Sequence, residues 1–186
     1  MAFEALSGKV GPSIYLLCVC ITFVFVVVST PIAQFKGKGV TVTGAGQKGS
    51  CVTFWGLKND CKTNGYTLRP ADMMCEEGNT RLRQVFQAAE AFSIISIFVV
   101  LVSGIAVVKQ LAGSSTHWIA VLSALLSVAT VLIPWACMAA VPHSNMCGEA
   151  FKAAWKANWK FSAGFGLFVS GWAIQVIGTA CLILLN

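Results

Sequence analysis

VFQAAEAFSIISIFVVLVSGIAVV, residues 85–108, holds a single charged side chain, Glu90. About 20 consecutive apolar residues carry a helix across a bilayer, and a helix apolar on every side is either deeply buried or membrane-spanning. Three further runs of the same kind, residues 13–32, 118–141 and 161–185, hold no charge at all. Hydrophobic residues make up 56% of the 186-residue chain and charged residues 11%, against roughly 25% charged in an ordinary soluble domain. Four such helices leave no soluble core in which to bury them. The fold class is therefore all-α integral membrane: a four-transmembrane-helix bundle. The first run reads as an uncleaved anchor, since Ser29-Thr30-Pro31-Ile32-Ala33 is a poor signal cleavage site with proline in the way.

The connections are unequal. Residues 33–84 form the large loop, in which Gly39–Thr43 and Cys51–Trp55 are β-prone and separated by Gly44, Gly46 and Gly49, which reads as a hairpin. Asn64-Gly65 marks a second hairpin. A small antiparallel β-sheet is expected there. The loop at 109–117 is short and rich in Gly and Ser, and the one at 142–160 is compact. Inside the large loop, Cys51 and Cys61 have nine residues between them, a spacing that can close a small disulfide loop around Trp55-Gly56.

The segment Cys51, Val52, Thr53, Phe54, Trp55, Gly56, Leu57, Lys58, Asn59, Asp60, Cys61 resembles the signature of the amastins, kinetoplastid surface proteins. Its constrained places are filled by Cys51, Val52, Thr53, Phe54, Trp55, Gly56, Lys58, Asp60 and Cys61. Four spans, a dominant first loop and similar length extend the resemblance to the whole chain as a single membrane domain, 1–186. Trp55-Gly56-Leu57, followed by Cys61 and Cys75, more weakly resembles the claudin pattern and implies a claudin-like, sheet-topped bundle. The amastin resemblance implies a multi-pass plasma-membrane protein with cytoplasmic termini, external loops, and a role in host–parasite interaction. For the loop cysteines Cys51, Cys61, Cys75 and Cys147, the signature implies Cys51–Cys61 with Cys75–Cys147, whereas the claudin analogy implies Cys61–Cys75. The two pairings stay open at the level of sequence.

Orientation sets two rules against each other. Residues 33–84 and 142–160 hold eleven of the thirteen Lys and Arg, which by the positive-inside rule places them in the cytoplasm. Four cysteines in the same loops suit two disulfides in an oxidising compartment. The first-loop basic residues are offset by Asp60, Asp72, Glu76 and Glu77, so external loops are the expectation. Cys18, Cys20, Cys137 and Cys181 lie in the spans and behave as small apolar residues, with Cys18 and Cys20 near enough to the inner face to consider palmitoylation.

No catalytic, metal or cofactor site is expected. The cysteines lack the Cys-x-x-Cys spacing of thiol oxidoreductases. His117 and His143 fall in opposite loops and cannot share a metal. No phosphate-cradling or dinucleotide fingerprint occurs, nucleic acid is not an expected partner, and the chain contains no Asn-x-Ser/Thr sequon. Gly164, Gly171 and Gly178 recur every seven residues and form one stripe, suited to close helix contact within the bundle or between protomers of a homo-oligomer. Ala120, Ser123, Ala124 and Ser127 offer a matching small face on the third span. Phe151, Trp155 and Trp159, beside Lys152, Lys156 and Lys160, give a helical aromatic strip that anchors at lipid headgroups or meets an apposed membrane. Glu90 reads as an interfacial carboxylate near the start of the second span, and Gln110 and Gln175 are further polar residues near or within the spans. The function these features favour is a binding or structural role at the cell surface, toward the bilayer, an apposed membrane or a surface protein. A transporter- or channel-like role is the alternative.

Overall fold

The computed structural model describes residues 2–39, 49–75, 80–113 and 117–185, with backbone only for 2–8. Within these residues, five α-helices and four short strands follow in the order α1 (Ala2–Ser29), β1 (Phe35–Gly37), β2 (Cys51–Thr53), β3 (Gly56–Lys58), α2 (Arg81–Leu111), α3 (His117–Ala140), α4 (Gly148–Asn158), β4 (Trp159–Phe161) and α5 (Ala163–Leu184), with a 3₁₀ turn at Pro70–Asp72 before α2. Among the described residues, four helical segments are long and apolar enough to span a membrane: Lys9–Ser29, Arg81–Leu111, His117–Ala140 and Ala163–Leu184. The first ends three residues before the expected 32, and α2 begins four residues before the expected 85. Apolar content alone does not mark helix ends. Pro31 disfavours helical geometry at the residue before it, while Arg81, Arg83 and Gln84 are polar yet helix-compatible.

The spans close into a ring, α1 against α2, α2 against α3, α3 against α5 and α5 back against α1. Large apolar side chains such as Leu17, Phe98, Ile119, Leu122 and Ile177 point outward, where lipid receives them. The inward faces are small or hydroxylated: Ser93, Ser96, Ser103, Ala106, Ala124 and Ser127 are all buried. The serine hydroxyls bond back to their own helices, as Ser96 to Ser93 O at 2.9 Å and Ser127 to Ala124 O at 2.8 Å. Lipid is as apolar as the bundle interior, so close approach of small residues replaces the hydrophobic drive.

The glycine stripe meets α1 and the segment just after it, and the small face of α3 is not its partner. A Cβ on Gly178 would lie 2.6 Å from Cys18 Cβ, one on Gly171 3.3 Å from Phe25 Cβ, and one on Gly164 2.7 Å from Ala33 O. Gly11 makes the same contact at the far end, 2.9 Å from Cys181 O. One polar centre joins all four spans. The Tyr15 hydroxyl donates to Ser103 Oγ at 3.0 Å, and Gln175 Nε2 donates to Tyr15 Oη at 2.8 Å and to Ser127 Oγ at 2.5 Å. All four residues are fully buried, and a hydrogen-bonded polar group in this setting fixes helix register because any slip would orphan it.

At one end of the bundle sits a four-stranded antiparallel sheet, ordered β3-β2-β1-β4. Two expectations change here. The sheet is not confined to the large loop: β4 follows α4 and pairs Phe161 with Phe35, Lys160 with Lys36 and Trp159 with Gly37. The Asn64-Gly65 reversal makes a single bridge, Leu57 to Leu68, and no second hairpin. The first strand lies at Phe35–Gly37, before the expected Gly39–Thr43; of the hairpin assigned around Gly44, Gly46 and Gly49, residues 40–48 lie outside the described part.

Candidate functional site

The hairpin at Cys51–Cys61 is the centre of the headpiece, and each constrained position in it has a physical task. Cys51 pairs with Lys58, Val52 with Leu57 and Thr53 with Gly56 around a two-residue turn, Phe54-Trp55. The Thr53 hydroxyl accepts the Trp55 N–H at 3.1 Å and so holds the turn, a local bond open to Ser or Thr. Gly56 has φ +131°, and a Cβ there would collide with Leu68 O. The position therefore requires glycine twice over. Lys58 Nζ sits 4.5 Å from the Tyr66 ring centroid and donates to Thr63 O at 3.1 Å. Asp60 Oδ1 accepts the Lys62 N–H at 2.9 Å, an Asx-type turn that brings the chain round to Cys61. Cys51 and Cys61 are disulfide-bonded, with Cα atoms 5.5 Å apart.

The turn residues aim in two directions. Phe54 is fully buried and packs edge-on against Phe168 of α5, ring centroids 5.4 Å apart. Burying such a side chain contributes about 2–3 kcal/mol, so the hairpin is bolted to the bundle. Trp55 is half-buried and lines a cleft with Tyr66, Arg69, Pro70, Ala71, Gln87 and Glu90. A second disulfide, Cys75–Cys147, Cα atoms 5.2 Å apart, ties the approach to α2 to the start of α4. This pairing accompanies Cys51–Cys61, so the claudin-style Cys61–Cys75 link does not form.

Between the sheet and α4 lies a cavity of about 290 Å³, walled by Val52, Leu57, Leu68, Met73, Met74, Leu82, Phe151, Ala154, Trp155, Asn158 and Trp159. Its lining is almost wholly apolar. Here the expected aromatic strip takes a different form. Helix α4 stops at Asn158, and Trp159, extended at φ −119° and ψ 149°, belongs to β4. Trp159 is buried, stacks on Trp155 with ring centroids 5.5 Å apart, and Trp155 meets Phe35 edge-on at 5.4 Å. Phe151 continues the stack at 5.6 Å from Trp155. Pairing with β1 satisfies the backbone at 159–161, which a further helical turn would leave without sheet partners. The aromatics thus build the cavity wall and leave no continuous strip for headgroups. Lys152 and Lys156 remain on α4, Lys160 moves to β4, and Lys152 pairs with Glu149 at 3.6 Å.

Sequence reasoning missed the cavity, β4, and the partners of Gln175, because each depends on residues far apart in the chain. Among the described residues, no group of three or more His, Cys, Asp or Glu side chains comes together as a metal site.

The family model described as Amastin surface glycoprotein matches residues 20–182. No curated protein and no solved structure matches the chain.

Proposed function

Since this chain belongs to the amastin surface glycoprotein family, a family of membrane surface proteins, we propose that it works as a binding protein of the plasma membrane, with its headpiece outside and its termini in the cytoplasm. The observation that carries this reading is the cross-linked platform of sheet and α4 around an apolar slot. Exposed Met74 and Leu68 form part of that slot's lining. Exposed apolar surface rimmed by polar residues marks interaction sites, and two disulfides lower the entropic cost of holding such a surface ready. Two disulfides in the headpiece also favour an oxidising compartment and outweigh the basic residues on that side. Two of those cations are already engaged within the headpiece: Lys38 Nζ donates to Lys156 O at 2.5 Å, and Lys58 lies over Tyr66.

The partner class is an apposed membrane or a protein upon it. Cells displaying the full chain should adhere to target cells or immobilised vesicles. Met74→Asp, which places a charge in the slot's lining, is expected to reduce adhesion about tenfold, as loss of one central anchor does, with surface level unchanged. Adhesion equal to that of cells lacking the chain would refute the proposal. Solute flux through proteoliposomes above that of empty ones would instead favour the transport alternative.

Orientation has its own test. In a background with the four span cysteines replaced, Gly65→Cys and Ala112→Cys place thiols on exposed positions at opposite ends of the bundle. A membrane-impermeant maleimide on intact cells should label position 65 and leave 112 unlabelled until permeabilisation. The reverse pattern would invert the topology.

A further inference from the structure

Glu90 stands at a boundary. The next residue, Ala91, begins eighteen uncharged residues that end at Val108, with Lys109 beyond. Eighteen helical residues extend about 27 Å, close to the roughly 30 Å of a hydrocarbon core. Glu90 and Lys109 thus bracket the core, and Glu90 lies at the headgroup level of the leaflet next to the headpiece. Among the described residues its carboxylate forms no ion pair. A carboxylate at the edge of the hydrocarbon core attracts a compensating positive group.

What faces it is a cleft of about 260 Å³. Gln87, one turn up the same helix, lines it beside Glu90. Arg69 lines it from the large loop, is exposed, and among the described residues also forms no ion pair. Trp55 and Tyr66 supply aromatic faces; the Lys58 ammonium 4.5 Å from the Tyr66 ring shows that this ring already attracts a cation. One cleft therefore holds an anion, a cation and two rings, with the two charges not spent on each other. Below Glu90, at helical spacing, run Ile94, Phe98, Leu101 and Ile105, exposed by 38%, 62%, 46% and 50%. Residues so spaced share one face, so an apolar track descends from the cleft into the bilayer.

We propose that this cleft holds the phosphocholine head of a phospholipid in the leaflet next to the headpiece. The quaternary ammonium lies against Trp55 and near Glu90, as cation–π attraction and charge favour. The phosphate meets the guanidinium of Arg69, whose planar fork suits it. The acyl chains follow the Ile94–Ile105 track. This site is separate from the apolar slot, and the assignment stands whether or not the slot binds a partner.

The test is native mass spectrometry of the full chain, equilibrated with equal amounts of phosphatidylcholine and phosphatidylglycerol bearing the same acyl chains. The wild type should retain phosphatidylcholine about tenfold over phosphatidylglycerol, about what one well-placed charge contact gives. Glu90→Gln should abolish that preference, because phosphate on Arg69 serves both lipids. Arg69→Gln, on an exposed loop where folding is not at stake, should lower retention of both, whereas Lys62→Gln should change neither. Glycerophosphocholine should compete only in large excess, since it lacks the chains. Equal retention of the two lipids by the wild type would overturn the proposal, as would an unchanged preference in Glu90→Gln together with undiminished retention in Arg69→Gln. Glycerophosphocholine binding as tightly as the lipid would assign the cleft to a soluble phosphodiester and overturn the membrane-lipid assignment.

Discussion

Gly178→Leu is expected to abolish the folded bundle, with loss of surface delivery and of the monodisperse peak in detergent gel filtration. Even a Cβ at this position would lie 2.6 Å from Cys18 Cβ and 3.3 Å from Tyr15 Cδ2. Neither can swing away, because one is fixed to its backbone and the other belongs to the polar centre with Ser103 and Gln175. Overpacking a tight interior costs about 1–3 kcal/mol for added methylenes, a cost that applies already to Gly178→Ala. The stripe also predicts an order. Alanine should harm position 164, where its Cβ would lie 2.7 Å from Ala33 O, nearly as much as 178, and position 171, at 3.3 Å, much less. Ile177 adjoins Gly178 at similar depth but is 60% exposed, so Ile177→Phe should be tolerated by lipid. Equal thermal stability of Gly178→Leu and Ile177→Phe would show that α1 and α5 do not depend on the stripe.

Removing the Cys75–Cys147 disulfide should destabilise the headpiece more than removing Cys51–Cys61. The first link spans a sequence separation of 72 and the second 10. Loop-closure entropy grows with the logarithm of loop length, giving about 4 kcal/mol for the longer link and about 3 for the shorter. Membrane insertion already confines the ends of α2 and α3, so the measured gap should be narrower than these figures. The consequences differ in kind as well. Cys75→Ser/Cys147→Ser frees the start of α4 from the approach to α2 and should open the apolar slot to protease and solvent. Cys51→Ser/Cys61→Ser leaves a hairpin still held by Thr53, Gly56 and the Phe54–Phe168 contact. Limited proteolysis, with melting followed by tryptophan fluorescence, distinguishes the two. A Cys75→Ser/Cys147→Ser protein no more labile than the other would refute the ordering.

The spans were legible because lipid leaves few alternatives to a long uncharged run, and the signature from Cys51 to Cys61 was legible because its residues lie within one short segment. Gly56 illustrates the limit. Its need for positive φ is local, but the collision it avoids is with Leu68 O, which only the folded loop brings near. The glycine stripe was visible in α5, yet its partner was not: α3 offers the small face, but the bundle's closure sets Gly171 and Gly178 against Phe25, Cys18 and Tyr15 of α1. Trp159 shows the same limit from the other side. Its spacing from Phe151 and Trp155 fits a helix, but pairing with β1 outcompetes one more helical turn, turning a supposed membrane anchor into the wall of a cavity. The sequence by itself therefore determined four membrane helices, a cysteine-bearing first loop and the family signature, since hydropathy and short-range spacing are properties of neighbouring residues. Only the tertiary structure decided the helix neighbours, the Cys75–Cys147 link, the fourth strand, and the meeting of Trp55 and Arg69 with Glu90, because each depends on segments whose separation in the chain leaves no trace in local pattern.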